Sequence, residues 1–240
     1  MSRAVLITGV TGYMGRELAQ SLLNRGLRVR GLVRPGSESK CPRGVEIVTG
    51  SPLRAADVGR AVEGCDTLVH LVGTSHPAPW KQKQFESVDR PSLIASVDAA
   101  SQAGSVHLVY VSVAQPAPVM RGYIAVRSAC EKRIRESGLD ATILRPWYVL
   151  GPGHRWPYLL LPAYRIAEHV PAIREGALRL GLLKLDEMVL ALEAAVFNRS
   201  SGVRVWEVPE IRTIGSEHAW RQRSPDATGG ASAVRATGPE

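Results

Sequence analysis

Cysteine is scarce in this chain. Its 240 residues hold three, Cys41, Cys65 and Cys130, far apart and with no Cys-x-x-Cys pair. An odd, scattered set excludes a disulfide framework and points to a reduced, intracellular protein, with the cytoplasm as its expected place. Aromatic residues make up only 5%, with two phenylalanines, so the core has to be aliphatic. The apolar stretch Leu159-Leu160-Leu161 is interrupted on both sides by Arg155, Pro157, Pro162 and Arg165, too soon to span a bilayer. Met1-Ser2-Arg3 leads directly into an apolar strand, so no signal peptide is expected. Basic residues outnumber acidic ones 30 to 22, a net charge of +8, yet they never form a run of five or six. Dispersed arginine argues against a dedicated nucleic-acid face. Neither His-Glu-x-x-His nor Gly-x-Ser-x-Gly occurs, which leaves metalloprotease and serine-hydrolase readings without support. Cys65, His70 and His76 lack zinc-like spacing, and no metal site is expected. Glu131 and Glu136, amid Lys132, Arg133 and Arg135, read as a solvated helix face.

What is present is a glycine-spaced turn. The apolar run Ala4-Val5-Leu6-Ile7 predicts a strand buried on both faces. Gly9, Gly12 and Gly15 follow at three-residue spacing, and Leu18, Leu22 and Leu23 then mark one face of a helix. A tight turn into a helix N-terminus, free of side chains, lets backbone N–H groups approach a pyrophosphate. Placed between strand and helix, the triplet predicts a dinucleotide ligand.

The rest of the chain alternates in the same way. Strands are expected at Leu27–Val33, Val45–Val48, Thr67–Val72, Val106–Val111 and Ala141–Leu144, with helices at Pro52–Glu63, Phe85–Ala103 and Tyr123–Glu136. Gly64, Gly104 and Gly138 stand where a helix C-terminus calls for glycine. This order implies an α/β fold, a doubly wound parallel sheet of the Rossmann type. After Leu144 the pattern loosens into a loop over Arg145–Gly153, a helix over Leu185–Phe197 and a late strand over Val203–Val208, a small substrate-side portion. The domain is expected to cover residues 1–212. Residues 213–240, rich in Ser, Gly, Ala, Thr, Arg and Pro, are expected to be a disordered tail.

The residue ending the second strand selects the coenzyme, because an acid there binds a free ribose 2′-hydroxyl whereas arginine accommodates a 2′-phosphate. Arg34 stands 19 positions after Gly15, and no carboxylate occurs nearby before Glu38. The planar guanidinium fork favours NADP, with NAD the other candidate.

Further motifs join the glycine turn. Ala61-Val62-Glu63-Gly64-Cys65-Asp66-Thr67-Leu68-Val69-His70-Leu71, then Leu108-Val109-Tyr110-Val111-Ser112 followed by Tyr123, then Ser137-Gly138-Leu139-Asp140-Ala141-Thr142-Ile143-Leu144-Arg145-Pro146 resemble the short-chain dehydrogenases/reductases. The resemblance covers roughly residues 3–210. It is nearest to the atypical, NmrA-like or NAD(P)H-binding branch, beside the extended epimerases and dehydratases. It implies a catalytic Ser and a Tyr-x-x-x-Lys pair, carried here by Ser112 and Tyr123, with Arg127 at the lysine position. A free tyrosine has a pKa near 10 and needs a nearby cation to act near neutrality. Arg127, one helical turn away, supplies charge and a ribose hydrogen bond but cannot relay a proton. Ser51 after Gly50 departs from the acidic residue that the family often has near adenine. The candidate coenzyme contacts are then Gly9, Thr11, Gly12, Tyr13, Met14, Gly15, Arg34, Leu71, Val72, Gly73 and Pro146, with Thr74 and Ser75 adjoining.

Trp80, Trp147, Tyr148, Trp156 and Tyr158 follow the fourth and sixth strands, beyond whose carboxyl ends ligands bind in open sheets. With Leu159, Leu160, Leu161 and Ile166 they suggest an apolar pocket, or else packing of a small lobe or a dimer contact. The function expected is an NADP-dependent oxidoreductase acting on a small apolar carbonyl or quinone-like substrate. The alternatives are a non-catalytic NAD(P)H-binding sensor or assembly factor, and a nucleotide-sugar epimerase or dehydratase.

Overall fold

In the computed structural model, residues 3–74, 77–117, 119–151 and 174–223 are described. β1 (Ala4–Thr8), α1 (Tyr13–Asn24), β2 (Arg28–Val33), β3 (Glu46–Thr49), α2 (Ala55–Val62) and β4 (Thr67–His70) form the first half. A helical stretch then opens at Gln82, winds as a π-helix over Phe85–Asp89 and continues as α3 (Arg90–Ala103). β5 (His107–Val111), α4 (Arg121–Glu136), β6 (Ala141–Leu144) and β7 (Tyr148–Leu150) follow. α5 (Arg174–Arg179), β8 (Leu182–Lys184), α6 (Leu185–Phe197), β9 (Val203–Trp206) and α7 (Val208–Arg223) complete the described elements.

Seven strands form one parallel sheet in the order β3-β2-β1-β4-β5-β6-β9, and β7 pairs with β8 in a two-stranded parallel sheet. Strands β1, β4, β5 and β6 are buried along their whole length because helices cover both faces. Their side chains alternate between two cores. Leu6, Leu68, Leu108 and Ile143 face Val58, Leu93, Val126 and Ile134 from α2, α3 and α4. Val5, Ile7, Val69, Val109 and Leu144 face Leu18 and Leu22 of α1, Met188 and Leu192 of α6 and Ile211 of α7. Each fully buried leucine contributes about 1.5–3 kcal/mol relative to exposure. Strand order reverses between β1 and β4, so a crevice opens at their carboxyl ends. The doubly wound parallel sheet predicted by alternation is therefore the fold observed.

Two expectations change. Arg145–Gly153 is not wholly loop, since β7 occupies Tyr148–Leu150; three-residue strands are too short to show alternation. Residues 213–223, assigned to the tail, continue α7 through Arg223. Ile211 is fully buried, and Gly215, where the composition turns polar, brings the helix so close to α6 that a Cβ there would stand 2.9 Å from the Glu187 carbonyl. Composition alone hid that close approach. Residues 224–240 lie outside the described residues, as do Ser75, His76, Trp156, Tyr158, Leu159, Leu160, Leu161 and Ile166.

Candidate active site

At the end of β1 the chain turns through Gly9, whose φ of +82° favours glycine and whose absent Cβ would press within 3.0 Å of the Leu71 backbone after β4. Gly12 donates its N–H to the Gly9 carbonyl at 2.9 Å and caps α1 with no side chain. Gly15 packs the first turn of α1 onto the strand: a Cβ there would stand 2.2 Å from the Gly9 oxygen. No acidic residue occupies that first turn. The arrangement presents bare backbone N–H groups and the positive end of a helix dipole to the crevice, which suits a diphosphate. Thr11, Tyr13 and Met14 are part-buried around it, and the Tyr13 hydroxyl lies where a Cβ on Gly151 would be, 1.7 Å away. Leu71 and Val72 line the other side, and Pro146 is buried, its carbonyl accepting from Ala114 N–H at 2.9 Å.

Arg34 is exposed at the carboxyl end of β2. Next to it the Gly50 N–H donates to the Val33 carbonyl at 2.9 Å. Where the sequence shows Ser51 instead of an acid, the structure supplies one from α2. Asp57 accepts from Arg54 at 2.8 Å, from the Ser51 N–H at 2.9 Å and from Arg60 at 2.9 Å. The Arg54 hydrogen bond and the Ser51 N–H hold its carboxyl down at about 2.

Tyr123 and Arg127 meet as their spacing requires, the guanidinium carbon lying 5.0 Å from the phenol ring centre. Phe85 packs on the same ring at 4.8 Å. Arg127 is buried and already engaged. Its NH2 donates to Asp89 at 2.6 Å, and its NH1 to the Tyr110 hydroxyl at 3.0 Å and the Val111 carbonyl at 3.1 Å. The second Asp89 oxygen accepts from Thr74 N–H at 3.0 Å and from Thr74 Oγ1 at 2.7 Å. Gly73 lies so close that a Cβ would stand 2.4 Å from Arg127 NH2. Burial pushes the Tyr123 hydroxyl above its ordinary value, Arg127 pulls it down and Asp89 adds to the rise; the net direction is up.

Ser112 sits elsewhere in the bonding scheme. Its hydroxyl donates to Glu131 at 2.7 Å. Glu131 also takes a forked pair from Arg145 at 2.8 and 2.5 Å, and bonds from Gln115 and Arg135. Far from lying on a solvated face, Glu131 is 1% exposed and joins the ends of β5 and β6. Burial opposes its charge, yet the hydrogen bonds from Arg145 and Ser112 outweigh that and hold the carboxyl below its ordinary value. Arg145 reaches on to Glu207 beyond β9 at 2.7 Å.

His70 is a core residue. It is hydrogen-bonded to Ser96 at 2.9 Å and to Thr8 at 3.1 Å, and burial followed by the Arg127 charge lowers its pKa to about 3. Among the described residues no cluster of potential metal ligands occurs, and no helix is long and apolar enough to cross a membrane. Of the aromatic set, Trp80 is 83% exposed, whereas Trp147 and Tyr148 are part-buried.

Sequence reasoning missed Asp57, Asp89 and Tyr110. Only Asp89 left a trace: with Ser92 and Ser96 it forms a polar stripe at helical spacing, and all three are buried.

Residues 9–155 match the model of a family described as NAD(P)H-binding. A ceramide reductase of Caulobacter vibrioides is 27% identical over 91% of this chain and 67% of its own length. The photosystem II assembly factor Ycf39 of Cyanophora paradoxa is 26% identical over 59% of this chain and 44% of its own length. Among solved structures, the Bordetella bronchiseptica enzyme WbmH in complex with NAD+ superposes with a TM-score of 0.65 at 20% identity, over 94% of this chain and 83% of that one. The glycine cradle, the parallel sheet and the family match agree on a nicotinamide coenzyme. The chain belongs to the NAD(P)H-binding family.

Proposed function

We propose that the protein is an NADP-dependent reductase of an apolar carbonyl compound, with Tyr123 as the proton donor. One observation carries this reading. The loop after β4 touches the glycine cradle at Leu71 and, two residues on, touches Arg127 at Gly73. One three-residue segment thus borders both the cradle and the arginine that meets the Tyr123 ring. Bound there, the coenzyme would supply hydride to a carbonyl carbon. The chain's own residues do the rest. The N-terminal N–H groups of α1 hold the diphosphate, Arg34 pairs with the ribose 2′-phosphate, and Tyr123 gives its proton to the substrate oxygen. Arg127 orients Tyr123 and holds no exchangeable proton of its own near neutrality. Ser112, committed to Glu131, orders the end of β5 rather than sharing the proton transfer. Part-buried Trp147 and Tyr148 supply apolar surface after β6, in keeping with a lipid-like substrate such as the name of the ceramide reductase implies for that relative.

The test is loss of NADPH absorbance with long-chain ketones and quinones, in wild type and Tyr123→Phe. Wild type should turn over, and the variant should bind coenzyme equally while losing on the order of a hundredfold or more in rate. Equal rates would remove Tyr123 from the chemistry.

A second reading, a coenzyme-binding assembly factor or sensor without turnover, is favoured by the engagement of both terminal nitrogens of Arg127 with Asp89, Tyr110 and the Val111 carbonyl and by the likeness to Ycf39. Tight coenzyme binding with no rate in either protein would select it.

A further inference from the structure

Arg127 is the cation nearest Tyr123, yet its charge is not free. Asp89 sits with its side chain fully buried, 2.6 Å from Arg127 NH2, and the pair is sealed by Thr74 on one side and by Tyr110 and the Val111 carbonyl on the other. A carboxylate at contact distance opposes the field of a buried guanidinium at a third group, and at Tyr123 Asp89 offsets part of what Arg127 exerts through its charge and its hydrogen bond to the phenol. We propose that Asp89 is a positioning residue that holds Arg127 in an ion pair, weakens its field at Tyr123, favours the protonated phenol and so biases the site toward reduction. The proposal rests on the reductase reading for its direction, but not for its electrostatics.

The argument turns on what surrounds the phenol. Among the described residues, the titratable or charged groups facing it are Arg127 and Cys130 on its own helix, Asp89 on the π-turn and Tyr110 on β5. Phe85 adds an apolar wall. Only one cation is in that set, and it has an anion bound to it. Burial then dominates and raises the Tyr123 pKa. A phenol so held would give its proton to a carbonyl oxygen, where a bound reduced coenzyme would supply the hydride, and the phenolate would recover a proton from water. The reverse step needs the phenolate at rest, which this arrangement disfavours. Thr74 makes the device structural as well: its two bonds to Asp89 fix the loop that borders the glycine cradle, so the same carboxylate sets the charge at Tyr123 and the position of Gly73.

The experiment is an alkaline titration of tyrosinate absorbance on coenzyme-free protein, with Tyr123→Phe in each background to isolate the Tyr123 signal and circular dichroism to follow folding. Asp89→Asn leaves Arg127 uncompensated and should lower the Tyr123 midpoint by about one pH unit or more, a tenfold rise in its ionisation constant. The oxidative rate at neutral pH should rise relative to the reductive rate. An unchanged midpoint in folded Asp89→Asn would overturn the proposal, even if its Tm falls. So would a Tyr123 signal that stays beyond the alkaline limit of folding in both backgrounds. Should Asp89→Asn not fold, Arg127→Met and the double variant Asp89→Asn/Arg127→Met measure the same field from the other side. The single variant, with Asp89 alone beside the phenol, should then titrate about one unit above the double, and equal midpoints would refute the idea. Because no coenzyme or substrate enters the titration, its result stands apart from whether the protein proves to be a reductase.

Discussion

The first half of the sheet and the second half build their ends by opposite means. Around β1 and β4 the site is made of backbone and of missing side chains: Gly9, Gly12 and Gly15 leave room, and N–H groups are the proposed donors. Around β5, β6 and β9 the sheet ends in charge: Asp89 with Arg127, and Glu131 with Arg145 and Glu207. A diphosphate needs many weak donors at fixed spacing, which one turn and one helix provide. Orienting a phenol needs groups from several elements, which only long-range pairs can bring together. Substitutions in the second half should therefore act on stability and on Tyr123, and those in the first on coenzyme.

The largest effect is expected at Glu131. Glu131→Ala leaves the part-buried Arg145 with Glu207 alone and takes the acceptor from Ser112 and Gln115, and should destabilise the fold by about 3 kcal/mol, measured by urea unfolding. Glu131→Gln keeps one acceptor oxygen but sets an amide donor against donors of Arg145 and Arg135, and should lose less than the alanine variant. A loss under 1 kcal/mol for the alanine variant would show that the second half does not depend on its charges.

Gly15→Ala probes the other half. Its Cβ would meet the Gly9 carbonyl at 2.2 Å, and backbone on both sides cannot yield cheaply. We expect about 1–3 kcal/mol of overpacking cost and, separately, loss of detectable coenzyme binding by calorimetry. Intact binding with a lowered Tm would mean that the cradle does not hold the diphosphate.

How much of this was legible in the sequence follows the same division. The cradle was readable because its parts lie within seven residues and their spacing is the signal. Gly215 and the extension of α7 were not, since a glycine chosen for close helix packing looks like one in a tail. The charged pairs were not readable either. Arg127 finds Asp89 38 positions away and Arg145 finds Glu207 62 away, and the basic residues flanking Glu131 made a buried hub resemble a surface face. Tyr123 and Arg127 could be paired because a helical turn joins them, whereas the anion between Arg127 and the loop after β4 could not.

The seam between the halves can be tested with acid. His70, on β4, is held neutral in the native state, with its pKa lowered to about 3 by burial and then by Arg127. His107 on β5 is lowered to about 4, mainly by burial. Both take up protons at ordinary values only when unfolded. Their contribution is complete above pH 6.5 and falls as pH drops below it, by about 1.4 kcal/mol per unit for each. Between pH 6.5 and 5 the wild-type urea midpoint should therefore decline, and His70→Asn should decline at about half the slope. An unaltered slope would mean that His70 is not shielded at the seam.

The smallest effect is expected where the first half does use a side chain. Arg34 is exposed, so its pair with a 2′-phosphate is screened by water and salt, and such a contact is worth about 1 kcal/mol rather than the 2 or more of a buried one. Arg34→Ala should weaken NADP binding by roughly tenfold, on the scale of 1.4 kcal/mol per tenfold, and leave NAD binding and Tm as they were. Added salt should erase most of the wild-type preference but change little in the variant, since only the arginine contact is Coulombic and solvent-facing. If NADP and NAD fall together, Arg34 stacks on the adenine instead of reading the phosphate. If neither falls, Arg54 and Arg60, which gather at Asp57 beside Ser51, become the groups to vary next. In each outcome the proposed diphosphate contact should persist, because it is assigned to backbone N–H groups.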